Sequence, residues 1–164
     1  MLMLDILKHQ QWIVIALAFF GILAYIAIIR WRDRKWIDAR FGNQNLQAIS
    51  FGVNYFGRAT EPGKPRSSSG FLLLLPGSLF YRSRVKKIEL EIPGSRIARV
   101  YHDRTHKGVD LHVSLVKIDF LNAQDQKDTA AFKVPYPPQW IHAIENNLLN
   151  KTIRSKVQGS DIQG

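Results

Sequence analysis

Four residues in and around one predicted hairpin carry side chains able to bind a metal ion or transfer protons. They are His102, Asp103, His106 and His112. Metal-binding histidine pairs at such short spacing normally share one face of a helix, whereas these residues fall at a strand end, in a loop and in the next strand. The chain also has no cysteine, which removes thiolate ligands, disulfides and a cysteine nucleophile. We therefore expect exposed polar residues here, with no catalytic, cofactor or metal site.

A group of basic residues surrounds a predicted hairpin in the middle of the chain. Its members are Lys64, Arg66, Arg82, Arg84, Lys86 and Lys87. The whole chain has a formal net charge of +10, which suits an anionic partner such as a lipid surface, a nucleic acid or an acidic protein. The aromatic residues do not alternate with basic ones along a strand, as a stacking platform for nucleic acid requires. We therefore expect an anionic membrane surface or another protein as the partner, and no nucleic acid.

The residues before this hairpin form the polar stretch GRATEPGKPRSSSG, from Gly57 to Gly70. Its three serines follow Arg66, where a phosphate could be attached. Proline, glycine and serine dominate the stretch, and this composition is typical of a loop. We expect a flexible loop without a modification site.

An apolar segment without charges runs from Trp12 to Ile29. A helix needs about 20 apolar residues to cross the hydrocarbon core, and about 17 suffice. Trp12 and Tyr25 lie near the ends of the segment, as aromatic residues at membrane interfaces do. The main alternative is a cleaved signal peptide, whose apolar region is shorter, follows a basic start and ends in small residues. Here the basic residues follow the segment, which favours a retained transmembrane helix.

The charges that flank this segment predict its orientation. The N-terminal side offers Asp5 and Lys8, and the C-terminal side offers an excess of positive charge: Arg30, Arg32, Arg34, Lys35 and Arg40 against Asp33 and Asp38. Positive residues favour the cytoplasmic side, so we expect a single-pass protein of the cell (inner) membrane, with its N-terminus outside and its C-terminal domain in the cytoplasm. The first four basic residues of that list either contact anionic headgroups, for about 1 kcal/mol each, or only determine the topology.

Seven short strands are predicted beyond the basic segment. They begin with AISFGVNYF at Ala48 and end with TAAFKV at Val134. Most alternate apolar and polar residues, as half-buried strands do. The alternation of VDLHVSLVKIDF changes phase at Val116, after which Val116, Ile118 and Phe120 face inward, and one inserted residue of this kind indicates a β-bulge.

The last predicted element is an amphipathic helix. Trp140, Ile144 and Leu148 recur every four residues in PYPPQWIHAIENNLLNKTI, which places them on one apolar face able to cap a sheet. The predicted organisation is an N-terminal segment 1–11, a transmembrane helix 12–29, a basic juxtamembrane linker 30–45, a β domain 46–153 and a flexible tail 154–164.

Seven antiparallel strands closed by one C-terminal helix resemble the plan of pleckstrin-homology-like (PH-like) domains, including GRAM and bacterial PH domains. Three passages between Leu46 and Asn150 resemble that family locally: GFLLLLPGSLFYRSR, LEIPGSRIARV and FKVPYPPQWIHAI. The resemblance implies a mainly β fold, a seven-stranded barrel or sandwich filled by its own side chains, and a binding module rather than an enzyme. It also implies that Lys64 and the Arg82-Ser83-Arg84 triplet hold headgroup phosphates.

The run GFLLLLPGSLFYRSR itself is too short to cross a membrane. Pro76 and Gly77 predict a type II turn between two strands, with Leu72 and Leu74 on the face away from Leu73. Because only one face of a small barrel points inward, we expect the face with Leu72 and Leu74 to be covered by the C-terminal helix or a bent strand, or to contact a partner or the membrane.

These expectations combine into one functional hypothesis and one alternative. The first is a membrane-tethered cytoplasmic PH-like domain that serves as a binding or scaffolding module for a protein partner or the anionic leaflet. Its candidate contacts are Leu72, Leu74 and the six basic residues around the hairpin. The alternative is a small accessory subunit of a larger membrane complex, whose helix packs laterally through small residues: Ala16, Ala18, Gly21, Ala24 and Ala27.

Overall fold

The structure is a computed structural model of the 164-residue chain. It describes residues 2–42 and 44–150, with side chains from residue 11 onward. The predicted tail 154–164 lies outside the described residues. The chain divides into two compact units, residues 1–43 and residues 44–164.

The first unit is a single helix, α1, from Leu2 to Phe41. Within the described residues, one stretch, Gln11–Phe41, is helical and apolar enough to cross a membrane, and a signal sequence would meet the same criterion. The helix continues through most of the predicted basic linker. Two cations there lie over tryptophan rings one turn away: Lys35 over Trp31 and Arg40 over Trp36, both at 5.3 Å from the ring centroid.

The second unit is a seven-stranded antiparallel sheet, as predicted. Its strands are β1 (Ala48–Arg58), β2 (Ser68–Leu74), β3 (Ser78–Ser83), β4 (Glu89–Pro93), β5 (Ile97–His106), β6 (Val109–Leu121) and β7 (Lys127–Lys133). Their order across the sheet is β4-β3-β2-β1-β7-β6-β5. β4 and β5 are therefore the two outer strands, although only the short 3₁₀ turn Gly94–Arg96 separates them in sequence. So short a connection brings the two edges together and curls the sheet.

The C-terminal helix α2 spans Pro137–Ile144 and continues as a π-helical turn, Glu145–Leu149. Trp140, Ile144 and Leu148 are buried in the main core cluster, so the predicted apolar face is confirmed. These side chains fill the core between the two halves of the curled sheet, where they join residues from most strands. The inward placement of Val116, Ile118 and Phe120 on β6 is also confirmed.

The β5–β6 pair contains a register shift, although not at the predicted position, because Val116 pairs in register with His102. Asp103 pairs with Leu115, whereas Thr105 pairs with Asp110, so β6 is longer than β5 between these two pairs. His112 lies in the longer segment with a φ of 54°, an uncommon left-handed conformation for a residue with a side chain.

The inner face of β2 is the one that was predicted as outer, and the predicted burial of this face with the C-terminal helix is confirmed. Leu72 and Leu74 are 1% and 0% exposed and belong to the main core cluster. Phe71 instead points to the opposite face, where its ring contacts that of Phe51 at 6.4 Å between centroids. Alternation alone could not identify the inner face, because both faces of this strand are apolar.

The turn between β2 and β3 also differs from the prediction. The Leu75 amide donates a hydrogen bond to the Ser78 carbonyl over 2.9 Å, which closes a two-residue connection. Gly77 does not adopt the positive φ that a type II turn requires at its third position. The predicted hairpin is therefore confirmed, and its predicted turn type is wrong.

Candidate anion-binding cleft

Three loops meet at one end of the sheet and enclose a cleft of about 320 Å³. They connect β1 to β2, β3 to β4 and β5 to β6, and alternate connections of an antiparallel meander lie at the same end. The cleft is lined by Tyr55, Phe56, Gly57, Glu61, Pro62, Gly63, Lys64, Arg66, Ser68, Lys86, Ile88 and Lys107.

Four cationic side chains, one or two from each loop, line this cleft. Lys64, Arg66 and Lys86 were predicted as candidate contacts, and the structure brings them together. Lys107 was not among the predicted contacts, because it lies in the β5–β6 turn, distant in sequence from the other three. Lys107 is half-buried, and its Nζ donates a hydrogen bond to the Glu61 carbonyl oxygen over 2.7 Å. No local motif identifies Lys107. The order of the strands could have done so, because every second connection of an antiparallel sheet lies at the same end, and the β5–β6 turn is one of these.

One carboxylate, that of Glu61, lies among these cations and is already paired. Its Oε1 accepts hydrogen bonds from Arg58 Nε at 3.1 Å and from the Tyr55 hydroxyl at 3.3 Å. Burial raises the pKa of Tyr55 strongly, and the adjacent Glu61 carboxylate raises it further, so the phenol remains a neutral donor. Arg58 thus offsets the charge of Glu61, and the lining cations keep a positive excess.

A chain of hydroxyl groups fixes the loop that carries Lys86. Ser83 Oγ accepts hydrogen bonds from the Lys86 amide at 3.1 Å and the Val85 amide at 3.4 Å. The same Oγ lies 2.6 Å from Ser68 Oγ, at the start of β2. The Tyr81 hydroxyl donates to the Ser68 carbonyl oxygen over 2.5 Å, and burial raises its pKa. The β3–β4 loop is thereby tied to the end of the β1–β2 loop.

Asp128 fixes the start of the β1–β2 loop, which forms part of the cleft. Its carboxylate is buried and accepts hydrogen bonds from the Thr60 amide at 3.2 Å and the Thr60 hydroxyl at 2.7 Å. It also accepts one from the Thr129 amide at 2.8 Å. These hydrogen bonds therefore hold the start of the β1–β2 loop against β7, the strand next to β1.

The remaining predicted contact residues are not part of the cleft. Arg82 pairs with Glu89 on the neighbouring strand, with 3.4 Å between Nε and Oε1, and Arg84 and Lys87 do not line it. Leu72 and Leu74 lie in the core and have no contact surface. The juxtamembrane residues predicted to contact headgroups are exposed on α1: Arg30, Arg32, Arg34 and Lys35.

The three histidines of this region were predicted to be exposed, and one of them, His106, is buried. His106 is 1% exposed, and its Nε2 donates a hydrogen bond to the Gly57 carbonyl oxygen over 3.0 Å. Burial lowers the pKa of His106, so its ring is a neutral structural support for a strand that borders the cleft. His102 and His112 are exposed, as expected.

The half-buried carboxylate of Asp103 forms an ion pair with Lys117. Lys117 Nζ lies 2.9 Å from Asp103 Oδ2, and this hydrogen bond lowers the pKa of the Asp103 carboxyl well below its usual range. Among the side chains that the structure describes, those of residues 11–42 and 44–150, no group of three or more histidine, aspartate or glutamate residues is arranged to hold a metal ion.

Comparisons with known proteins agree with this architecture at the level of the fold. No protein-family model matches the chain, and no curated protein matches its sequence. The C-terminal domain of an unknown protein from Leishmania infantum superposes with a TM-score of 0.51 at 13% identity, over 74% of this chain and 98% of that domain. The strand order and the capping helix decide the classification. The fold is PH-like. The Vps36 N-terminal PH domain is also similar, with a TM-score of 0.47 and 13% identity over 66% of this chain and 82% of that domain.

Proposed function

We propose that this protein is a membrane-anchored binding module whose basic cleft holds a phosphate-bearing anion, the headgroup of an anionic lipid in the adjacent leaflet. The observation that supports the proposal most directly is the convergence of four cations on one cleft. Lys64 and Arg66 come from the first loop, Lys86 from the second and Lys107 from the third. The proposal assigns the domain recognition and no catalysis, as is usual for a core filled by its own side chains.

The lipid surface is a better match than a free anion for a domain attached to a membrane helix. Attachment keeps the local concentration of headgroups high, so a modest affinity is sufficient to orient the domain. Each lysine or arginine near an anionic surface contributes about 1 kcal/mol. Four such residues at one end of the sheet therefore favour one orientation toward the bilayer.

Removing two cleft lysines is expected to weaken this binding about 30-fold. The variant K64A/K86A loses two contacts of about 1 kcal/mol each. The measurement uses the full chain in neutral detergent micelles and follows hydrogen exchange of the loops 59–67 and 84–88 while phosphatidylglycerol is added. The expected result is slower exchange in both loops, with a midpoint that moves to higher lipid concentration in the variant.

The matched control is K127A/K133A, which removes the same charge from exposed lysines of β7 outside the cleft. It is expected to respond to the lipid as the native chain does. An equal loss in the control would show that net charge alone attracts the lipid. Protection by inorganic phosphate at the same concentrations would instead identify a soluble anion as the ligand.

The domain is further proposed to face the cytoplasm, because the positive flank of the apolar segment lies on its side. Protease added to inside-out vesicles is expected to digest the domain, whereas right-side-out vesicles protect it. A chain recovered without residues 1–29 would identify a cleaved signal peptide and would contradict the anchor.

A further inference from the structure

The first half of β1 has one unpaired edge. On one side, β1 pairs with β2 from Ala48 onward. On the other side it pairs with β7 from Asn54 onward, and in the described part of the chain no other strand lies there. Alternate backbone N–H and C=O groups of residues 48–53 therefore point away from the sheet, as those of an edge strand do.

A groove runs beside this edge, with α2 as its second wall. It encloses about 400 Å³ and is lined on one side by Ala48, Ile49 and Ser50. The other wall comes from the segment that leads into and through α2, and it consists of Pro135, Tyr136, Gln139, Trp140 and Ala143. Ile49 is 40% exposed. The groove shares no lining residue with the basic cleft.

Tyr136, at the mouth of the groove, is held in an uncommon conformation. Its φ and ψ are 54° and 62°, in the left-handed region, which is uncommon for a bulky residue and costs free energy. Its side chain is 71% exposed, so burial of the ring does not offset that cost. Its carbonyl oxygen accepts hydrogen bonds from the Gln139 and Trp140 amides, which keeps the residue at the start of α2. An exposed aromatic ring is thereby presented beside the free edge.

We infer that this groove binds an extended segment of a partner protein, which adds a strand to the free edge of β1. The unpaired backbone groups require an occupant that supplies its own backbone hydrogen bonds, as an added strand does. Residues 48–53 are long enough for a strand of about 20 Å. The exposed Tyr136 and Ile49 side chains can contact one apolar side chain of that strand.

The positive charge of this chain favours a partner segment that carries negative charge. The chain carries a net charge of +10, and the exposed Lys133 lies at the end of β7, two residues before Pro135 of the groove. A segment with acidic residues beside its apolar one is therefore favoured over a basic segment. The inference is independent of the proposed lipid site.

The test uses the full chain in neutral detergent micelles and an array of eight-residue peptides with alternating valine and glutamate around a central phenylalanine or leucine. Binding by array members is expected, and Y136N is expected to weaken it at least tenfold. Asparagine tolerates the left-handed conformation, so this variant keeps the fold while it removes the ring. Backbone N-methylation of the bound peptide at alternate residues is expected to abolish binding in one register and to preserve it in the other.

The matched control is V85A, which shortens an apolar side chain that is 85% exposed and outside the groove. It is expected to bind as the native chain does. Three results would overturn the inference: no array peptide binds, N-methylation in both registers leaves binding intact, or the native chain forms a dimer that Y136N dissociates. The last result would assign the groove to a second copy of the chain.

Discussion

Replacing Gly70 with alanine is expected to lower the free energy of unfolding of the β domain by about 3 kcal/mol. Gly70 lies on β2 opposite Ser83. A Cβ atom added there would lie 2.0 Å from the Arg82 carbonyl oxygen and 2.8 Å from the Tyr81 hydroxyl. Because the first of these neighbours is backbone, β2 and β3 must separate locally to admit the methyl group, which breaks sheet hydrogen bonds.

Thermal unfolding of the full chain in neutral detergent, followed through the change in tryptophan fluorescence, measures this effect, since Trp140 is buried in the β domain and the other tryptophans lie on α1. A domain of this size loses about 4–8 °C of Tm for each kcal/mol, so a decrease above 10 °C is expected. G77A is the matched control, since an added Cβ at Gly77 meets nothing within 4 Å and its φ is not positive. A G70A variant as stable as G77A would contradict the close approach of β2 and β3.

Replacing Asp128 with alanine is the second change with a large expected effect, again about 3 kcal/mol. The substitution leaves the Thr60 amide and hydroxyl and the Thr129 amide without their acceptor. It also removes a carboxylate 3.8 Å from Arg58 Nε. Loss of this anchor is expected to speed hydrogen exchange in the loop 59–67 and to weaken lipid binding at the cleft.

The variant D128N separates hydrogen bonding from charge at the same position. Its amide oxygen can still accept from the two backbone amides, and the Thr60 hydroxyl can rotate to accept from the amide nitrogen. We therefore expect D128N to cost less than 1 kcal/mol in the same unfolding measurement. Equal destabilisation by both substitutions would show that the ion pair with Arg58, rather than the hydrogen bonds, holds the loop.

The helices and strands of this fold could be predicted because the spacing of apolar residues that identifies them is a local property of the sequence. The recurrence of Trp140, Ile144 and Leu148 predicted both a helix and its buried face. The inward and outward faces of β2 could not be predicted, since Leu72 and its neighbour Leu73 are both apolar. Which face meets the core depends on the pairing with β1 and β3, which a single strand does not encode.

The candidate cleft could be predicted only in part for a similar reason. Lys64 and Arg66 are near neighbours in sequence, and Lys86 follows the next hairpin, so their proximity was foreseen. Lys107 joins them only because β5 and β6 connect at the same end of the sheet. Arg82 does not line the cleft, because its position on β3 places it beside Glu89 of the neighbouring strand.

The place of β1 between β2 and β7 has a consequence for the kinetics of folding. The hairpins of the meander form between neighbours in sequence, whereas Thr60 and Asp128 are 68 residues apart. Contacts of such high contact order form slowly, because a long loop must close before they contribute. During synthesis β1 leaves the ribosome long before β7, so the edge of β1 that pairs with β7 stays open in the nascent chain, and unpaired strand edges are prone to aggregation.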